Sequence, residues 1–438
     1  MPLRVDNAES LLLAAREPTD PLHHIRELRV RHRAISCFHI YPARLPREEI
    51  DWINRLGELL MPIISRLKPD SLRSFYWESQ HCIPVQIFNA FGSLPFRQQI
   101  IETLRLQADS GCKVGSLKPM ISNLKCLKQL SWKGLSRYNI SSDTDDLRAI
   151  FKQSSNQLQE LELVYTIDLV GRHASENISW REPSLVEAVL GLSDDDTEQL
   201  FSSLQRLSLT SIFLEPLHKE MVHALNLFQL RSLKIERCRS WGKLLRSAMQ
   251  TGRKICLKSL EIQYVIAFIQ SFYGLEELFI SSYQSEAPWD VWRAAHHHRS
   301  TLKRFIHDQD SFGPAYWEYG IPSLSWSLED RARLIDDPSQ NYLAQLDLEY
   351  LGINCVPPIL PDIIAPLSTK RSLQVLHIRQ YGESTTRKAK KIMNDRPSTL
   401  EFKCLIYKLD EFAEWIFGPR GFPSLRILAA GDFSAHGR

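Results

Sequence analysis

The chain has 438 residues, 43% of them hydrophobic and 24% charged, with a net charge of +3 and a pI near 8.3. That mixture fills a large core and excludes wholesale disorder. The charge is too small for the length to indicate a polyanionic partner by itself, and no apolar run approaches the roughly 18 residues of a membrane span. The eight cysteines, Cys37, Cys82, Cys112, Cys126, Cys238, Cys256, Cys355 and Cys404, are scattered and form no CxxC pair. A zinc ribbon and a small disulfide scaffold are therefore not expected, and a reducing compartment is.

In chain order, residues 1–20 form an N-terminal segment expected to be poorly ordered. The apolar run Leu11–Ala15 is too short for a secretory signal core, so a cytoplasmic or nuclear protein is expected. From there a phrase recurs: apolar, two variable, apolar, one variable, apolar. Its copies are IRELRV from Ile25, LRSFYW from Leu72, IETLRL from Ile101, LKQLSW from Leu127, LQELEL from Leu158 and LQRLSL from Leu204. Further copies are LRSLKI from Leu230, LKSLEI from Leu257, LEELFI from Leu275, an imperfect LKRFIH from Leu302, LAQLDL from Leu343, LQVLHI from Leu373 and LRILAA from Leu425. A blurred copy starts at Leu400. Alternation within the phrase predicts a strand with one face buried. Leu207, Leu233, Leu260 and Leu278 share one core position of successive strands. Most starts are about 25 to 31 residues apart, near the leucine-rich-repeat period. Longer insertions fall near 31–71, 165–203 and 308–342.

Between the phrases the period becomes helical, as in MVHALNLF from Met221, WGKLLRSAM from Trp241 and VIAFIQSFY from Val265. Strand, helix and strand in the same direction predict a parallel sheet. The expected fold class is α/β: a leucine-rich-repeat solenoid with a curved parallel sheet on the concave face and helices on the convex face. Residues 21–438 would form one such solenoid of about 12–14 irregular repeats.

The run WDVWRAAHHHRSTLKRF, Trp289–Phe305, suggests a metal site and loses it on inspection. Pro288 and Asp290 predict a helix start. Trp289, Trp292 and Ala295 predict its buried stripe. His296, His297 and His298 then fall at the helix end, about 100° apart, and cannot all face one ion. They are expected at the surface, dispensable for folding. No phosphate-binding loop, nucleophile elbow, HExxH or dinucleotide fingerprint occurs in its proper context. Neither a catalytic residue, a metal ligand nor a cofactor is therefore assigned.

The residue between the last two apolar positions should face the concave side. That column reads Arg29, Tyr76, Arg105, Ser131, Glu162, Ser208, Lys234, Glu261, Phe279, Ile306, Asp347 and His377. Signs alternate and aromatics are interspersed, which suits a protein partner better than a nucleic acid. Arg105, Glu162, Lys234, Glu261, Phe279, Asp347 and His377 are the candidate partner-binding residues. Arginines 26, 29, 31, 33, 44 and 47 and the acidic knot Asp194–Asp196 are expected to be solvated surface.

The phrases SLQRLSLTSI, QLRSLKIERCRSWGKLL, GLEELFISS, HHHRSTLKRF, SLSWSLEDRARL and FGPRGFPSLRIL resemble the leucine-rich-repeat proteins of filamentous fungi, often F-box proteins. The likeness is strong from about Leu200 onward. It places Cys238, in LKIERC, where the wider repeat family often has Asn or Cys. It implies an alternative to a plain scaffold: a substrate receptor of a cullin–RING ubiquitin ligase, with a Skp-type adaptor as partner. An F-box opens near LPxEI. Here LPREEI, Leu45–Ile50, is a shifted echo that follows a repeat phrase, and Ile50, Ile53, Leu56, Leu59 and Leu60 fit the outer helix of an elongated first repeat. The terminal DFSAHGR lacks an evident polar cap, so a truncated product is a further alternative.

Overall fold

The computed structural model describes residues 3–4, 21–32, 47–79, 83–93, 97–107, 118–121, 123–135, 140–165, 189–193, 199–263, 266–283, 288–310, 334, 337–355, 357, 360–379 and 400–431. The chain forms two compact units, 1–230 with 234–253, and 231–233 with 254–438. Both are α/β leucine-rich-repeat solenoids, with strands that follow chain order and all pair in parallel.

Unit 1 carries β1 (Leu3–Arg4), β2 (Glu27–His32), β3 (Ser74–Ser79), β4 (Thr103–Gln107), β5 (Gln129–Leu135), β6 (Glu160–Tyr165) and β7 (Arg206–Thr210). It also holds most of β8 (Ser232–Glu236). Its helices are α1 (Arg47–Ile64), α2 (Val85–Gly92), α3 (Lys118–Ile121), α4 (Ile140–Ser154), α5 (His218–Ala224) and α6 (Trp241–Gln250). Within the N-terminal segment, β1 pairs Leu3 with Val30 and Arg4 with Arg31. The insertion expected at 31–71 contains α1, which buries Leu56, Leu60, Ile63 and Ile64. α1 packs on α2, and Gly57 is what allows the approach: a Cβ there would meet Pro84 Cβ at 3.1 Å.

Unit 2 carries β9 (Ser259–Gln263), β10 (Glu277–Tyr283), β11 (Arg304–Asp310), β12 (Tyr350–Ile353), β13 (Val375–Ile378) and β14 (Ile427–Ala430). Its helices are α7 (Ile266–Ile269), α8 (Pro288–His296), α9 (Leu360–Ile364) and α10 (Leu400–Phe417). The blurred copy at Leu400 is thus no strand; it opens α10. Much of the expected insertions at 165–203 and 308–342 lies outside the described residues.

The phrase works as its spacing requires. Leu207, Leu233, Leu260 and Leu278 are all buried strand residues, with Leu161 paired to Leu207 and Leu260 to Leu278. The first apolar residue, such as Leu204 or Leu257, is buried before the strand begins. A backbone device recurs from repeat to repeat. The carbonyl just before the strand accepts two N–H groups from the next repeat. Arg73 O takes Glu102 and Thr103, Lys128 O takes Gln159 and Glu160, Lys258 O takes Glu276 and Glu277, and Lys303 O takes Glu349 and Tyr350. Each interior repeat thereby satisfies a rim of backbone groups that burial would otherwise penalise.

Side chains of several types supplement this ladder. In unit 1 the Cys238 thiol donates to Leu209 O and accepts from Ile212 N–H, both at 3.4 Å. Cys238 thus links two stretches of backbone, and burial pushes its thiol up to about 12. Gln98 Oε1 accepts from Ser71 and Leu72 N–H while its Nε2 donates to Lys68 O.

In unit 2 the corresponding stitch is His298, which corrects the expectation that all three histidines are surface. α8 does begin at Pro288, but it ends at His296, and the chain enters tight turns through Arg299. Helical angles no longer apply there. His298 is 1% exposed. Its Nε2 lies 2.9 Å from Ile269 O, and its Nδ1 accepts Leu275 N–H at 3.4 Å. Burial lowers its pKa to about 4. His296 and His297 remain half-exposed, against Tyr342 and Tyr273 respectively. The stripe of α8 is Val291, Trp292, Ala294 and Ala295, with Trp289 only half-buried.

Candidate interaction surface

Strand alternation sends one set of side chains into the core and the other to the open face of the sheet. In unit 1 the pairing aligns Arg29, Tyr76, Arg105, Ser131, Glu162 and Ser208 across β2 to β7, and Lys234 holds the same place in β8. The expected column is therefore present there. Its charges are largely paired locally. Arg29 and Arg105 cover Tyr76 at 4.3 and 5.5 Å from the ring centroid. Arg29 also meets Glu27 at 2.9 Å and Glu78 at 3.9 Å, and Arg31 pairs with Glu78. Lys234 lies 3.4 Å from Glu236. Burial opposes ionisation of Glu162 most strongly. The Ser131 hydroxyl at 2.5 Å and Lys133 at 3.0 Å, with Arg105 nearby, outweigh it and hold the carboxyl below its usual range. Arg105 is exposed on this face, as is Arg31. The crowding of arginines near the N-terminus is thus in part an internal salt-bridge network. Arg33, Arg44 and Asp194–Asp196 lie outside the described residues.

Unit 2 presents a different face. Its pairing aligns Glu261, Phe279, Ile306, Gly352, His377 and Ala429. Asp347 is not in this column. Two overlapping phrases, LAQLDL from Leu343 and LEYLGI from Leu348, compete, and the second forms the strand. Tyr342–Gln345 is a turn of 3-10 helix, begun by the Asn341 side chain accepting Ala344 N–H. Glu349, not Gln345, bonds into the carbonyl ladder. Asp347 is exposed at the rim before β12, 3.5 Å from Lys303. Gly352 takes the column position, and a Cβ there would meet Ile306 Cγ1 at 3.0 Å, so Ile306 occupies the space a side chain would need.

His377 is in the column but buried. Its Nδ1 lies 3.0 Å from the Tyr350 hydroxyl, and its Nε2 is 2.8 Å from Gly431 O. Beside it, Asp308 meets Arg379 at 3.1 Å and Asn354 at 3.3 Å. The Arg379 guanidinium reaches over Phe279, 5.1 Å from the ring centroid. Phe279, Ile306, Tyr350 and Val375 are half-exposed around this network. Tyr350, Gly352, Asp308 and Arg379 are the positions that the sequence reading missed. The overlapping frame at Leu348 was the signal that could have found the first two.

The third apolar position of β11 is a histidine. His307 is fully buried in the core and accepts the Trp292 indole N–H at its Nδ1, 3.2 Å away. Burial lowers its pKa to about 3. Among the described residues, no three His, Cys, Asp or Glu side chains come together as a metal cluster, and no helix is long and apolar enough to cross a membrane. No family model matches the chain, and no match is found among curated proteins.

Proposed function

We propose that the chain is a non-catalytic protein–protein interaction scaffold that binds a protein partner through the open faces of its repeat sheets. The observation that carries this is the half-exposed apolar group Phe279, Ile306, Tyr350 and Val375 on strands held rigidly by the ladder. Aromatic and aliphatic side chains on a fixed frame are the anchors that protein interfaces use. The self-paired charges of unit 1 suit it to orientation and rim contacts, not to a polyanion, which needs a continuous basic stripe.

For the ligase alternative, α1 is the informative element. Its stripe Leu56, Leu60, Ile63 and Ile64 is packed within unit 1. A stripe buried in the solenoid is not simultaneously offered to an adaptor, which favours the scaffold. The test is affinity purification of the full chain from native cells with mass spectrometry, beside the variants Phe279→Asp and Arg105→Glu. Partners that disappear with Phe279→Asp while the fold is retained support the proposal. A Skp-type adaptor retained by both variants would instead favour the ligase receptor.

A further inference from the structure

The small net charge hides a local excess. Residues 221–260 hold nine lysines and arginines and one acid, Glu236, a net of +8 in a chain whose total is +3. Four of these cations form a ridge in unit 1 that lies off the open face. Cys238 is buried and bonded to Leu209 O and Ile212 N–H, so its exposed neighbours Arg237 and Arg239 stand on a pinned turn. The backbone is left-handed at Arg237 and Ser240, with φ 53° and 62°, a conformation usually left to glycine. α6 follows at once. It buries Leu244, Leu245 and Ala248, and the exposed Lys243 and Arg246, three residues apart, share its opposite face.

Folding does not call for these charges. α6 has no acid in its first turn, and Arg239 and Lys243 lie at its N-terminal end, where the helix dipole disfavours cations. Glu215 accepts from the Ser240 hydroxyl and from Lys243, and Glu236 is shared by Lys234 and Arg237. Two acids do not balance the group. Trp241 is half-exposed between Arg239 and Lys243. Beside it Gly242 carries no side chain, and a Cβ there would meet nothing within 4 Å, so the turn is open on that side. We infer that this ridge binds an acidic segment of a partner protein, with carboxylates on Arg237, Arg239, Lys243 and Arg246 and an apolar residue on Trp241. Arginine forks take carboxylates in bidentate pairs, and tryptophan and arginine are favoured interface anchors. A nucleic acid would need a cationic track over several repeats. Here the rims of earlier repeats alternate in sign, as in Arg73–Glu102–Lys128 and Glu160–Arg206. This surface is separate from the open sheet faces and does not depend on their binding anything.

The probe is a short labelled peptide of aspartate and glutamate with one central leucine, titrated with the full chain by fluorescence anisotropy. It should bind at low ionic strength and weaken as salt rises. Arg237→Glu with Arg239→Glu should weaken it roughly tenfold or more, with circular dichroism unchanged. Arg246→Glu, on the helix surface clear of the pinned turn, should weaken it about threefold and decides the matter where the double variant fails to fold. Lys125→Glu with Lys152→Glu, exposed elsewhere in unit 1, changes the net charge equally and should leave the affinity within about twofold. Trp241→Ala should weaken the leucine peptide more than one with glycine in its place. Phe279→Asp should leave binding unchanged, which separates this site from the open face of unit 2. A parent chain that does not bind the peptide overturns the inference. So does an equal loss in the lysine variant, which would mean diffuse attraction. Tighter binding of a single-stranded oligonucleotide of the same charge, lost with the same arginines, would also overturn it and make the ridge a nucleic-acid surface.

Discussion

The two units use the same repeat, but the side chains on their open faces differ in kind. In unit 1, Arg29, Tyr76, Arg105 and Glu162 are tied to one another and to Glu27, Glu78 and Lys133. In unit 2 the column is Phe279, Ile306, Gly352 and a buried His377. The core positions carry the fold and cannot vary freely. The column between them is less bound by that constraint, although Gly352 and the buried His377 show that packing limits it too. The difference teaches that one recurring phrase fixes a frame without fixing a surface.

The largest expected effect should be common to both units. Leu207→Ala in unit 1 and Leu278→Ala in unit 2 each empty the same buried position and should cost about 2–5 kcal/mol. Urea unfolding of each variant measures this. A loss in one unit and none in the other would break the claim that the frames are equivalent.

Acid should separate the units. His298 and His307 are both in unit 2, and burial depresses both, to about 4 and about 3. The unfolded chain takes up these protons first as pH falls below 6.5, so stability is full at neutral pH and is lost through the window between 6.5 and the folded values. Each should cost about 2 kcal/mol between pH 7 and pH 5. Urea midpoints at the two pH values give the measurement. His298→Gln sharpens it. A glutamine can accept from one backbone N–H and donate to one carbonyl, as Gln98 does in unit 1, without titrating. That variant should keep its stability at pH 7 within about 1 kcal/mol and lose the His298 share of the acid decline.

The three histidines can also be compared with one another. His298→Ala leaves Leu275 N–H and Ile269 O without this partner in a buried setting and should cost roughly 1–3 kcal/mol. His297→Ala, half-exposed beside Tyr273, should stay within about 0.5 kcal/mol. Equal effects in thermal melts would mean that His298 is not a stitch.

Much of the frame was legible because period two is a strong signal when repeated. Leu72, Phe75 and Trp77, or Leu257, Leu260 and Ile262, lie where their phrase places them. Legibility failed where local geometry departs from the phrase. At Leu343 and Leu348 two apolar frames overlap, and the choice rests on Asn341 starting a 3-10 turn. At His298 an angle taken from an ideal helix was carried two residues past the end of α8. At Leu400 an apolar residue begins α10. The face was less legible than the core because burial on it depends on neighbours distant in sequence. His377 is buried and bonded to Tyr350 and Gly431, and nothing in LQVLHI indicates either partner.

Another small expected effect tests whether the face of unit 1 is structural at all. Glu162 belongs to that network, and its folded pKa is depressed by Ser131 and Lys133 against the opposing effect of burial. A depressed carboxyl stabilises the fold above the unfolded value of 4.5, and that contribution is lost as pH falls through the folded value. This window lies lower than the one in which the unit 2 histidines begin to act. Partly exposed ion pairs are worth about 0–1 kcal/mol, so Glu162→Gln should cost under about 1 kcal/mol at pH 7, less at high salt. Urea unfolding at low and high ionic strength checks both statements. A loss of several kcal/mol would place Glu162 among the groups that hold unit 1 together, and the contrast between a constrained core and a free column would fail at that position.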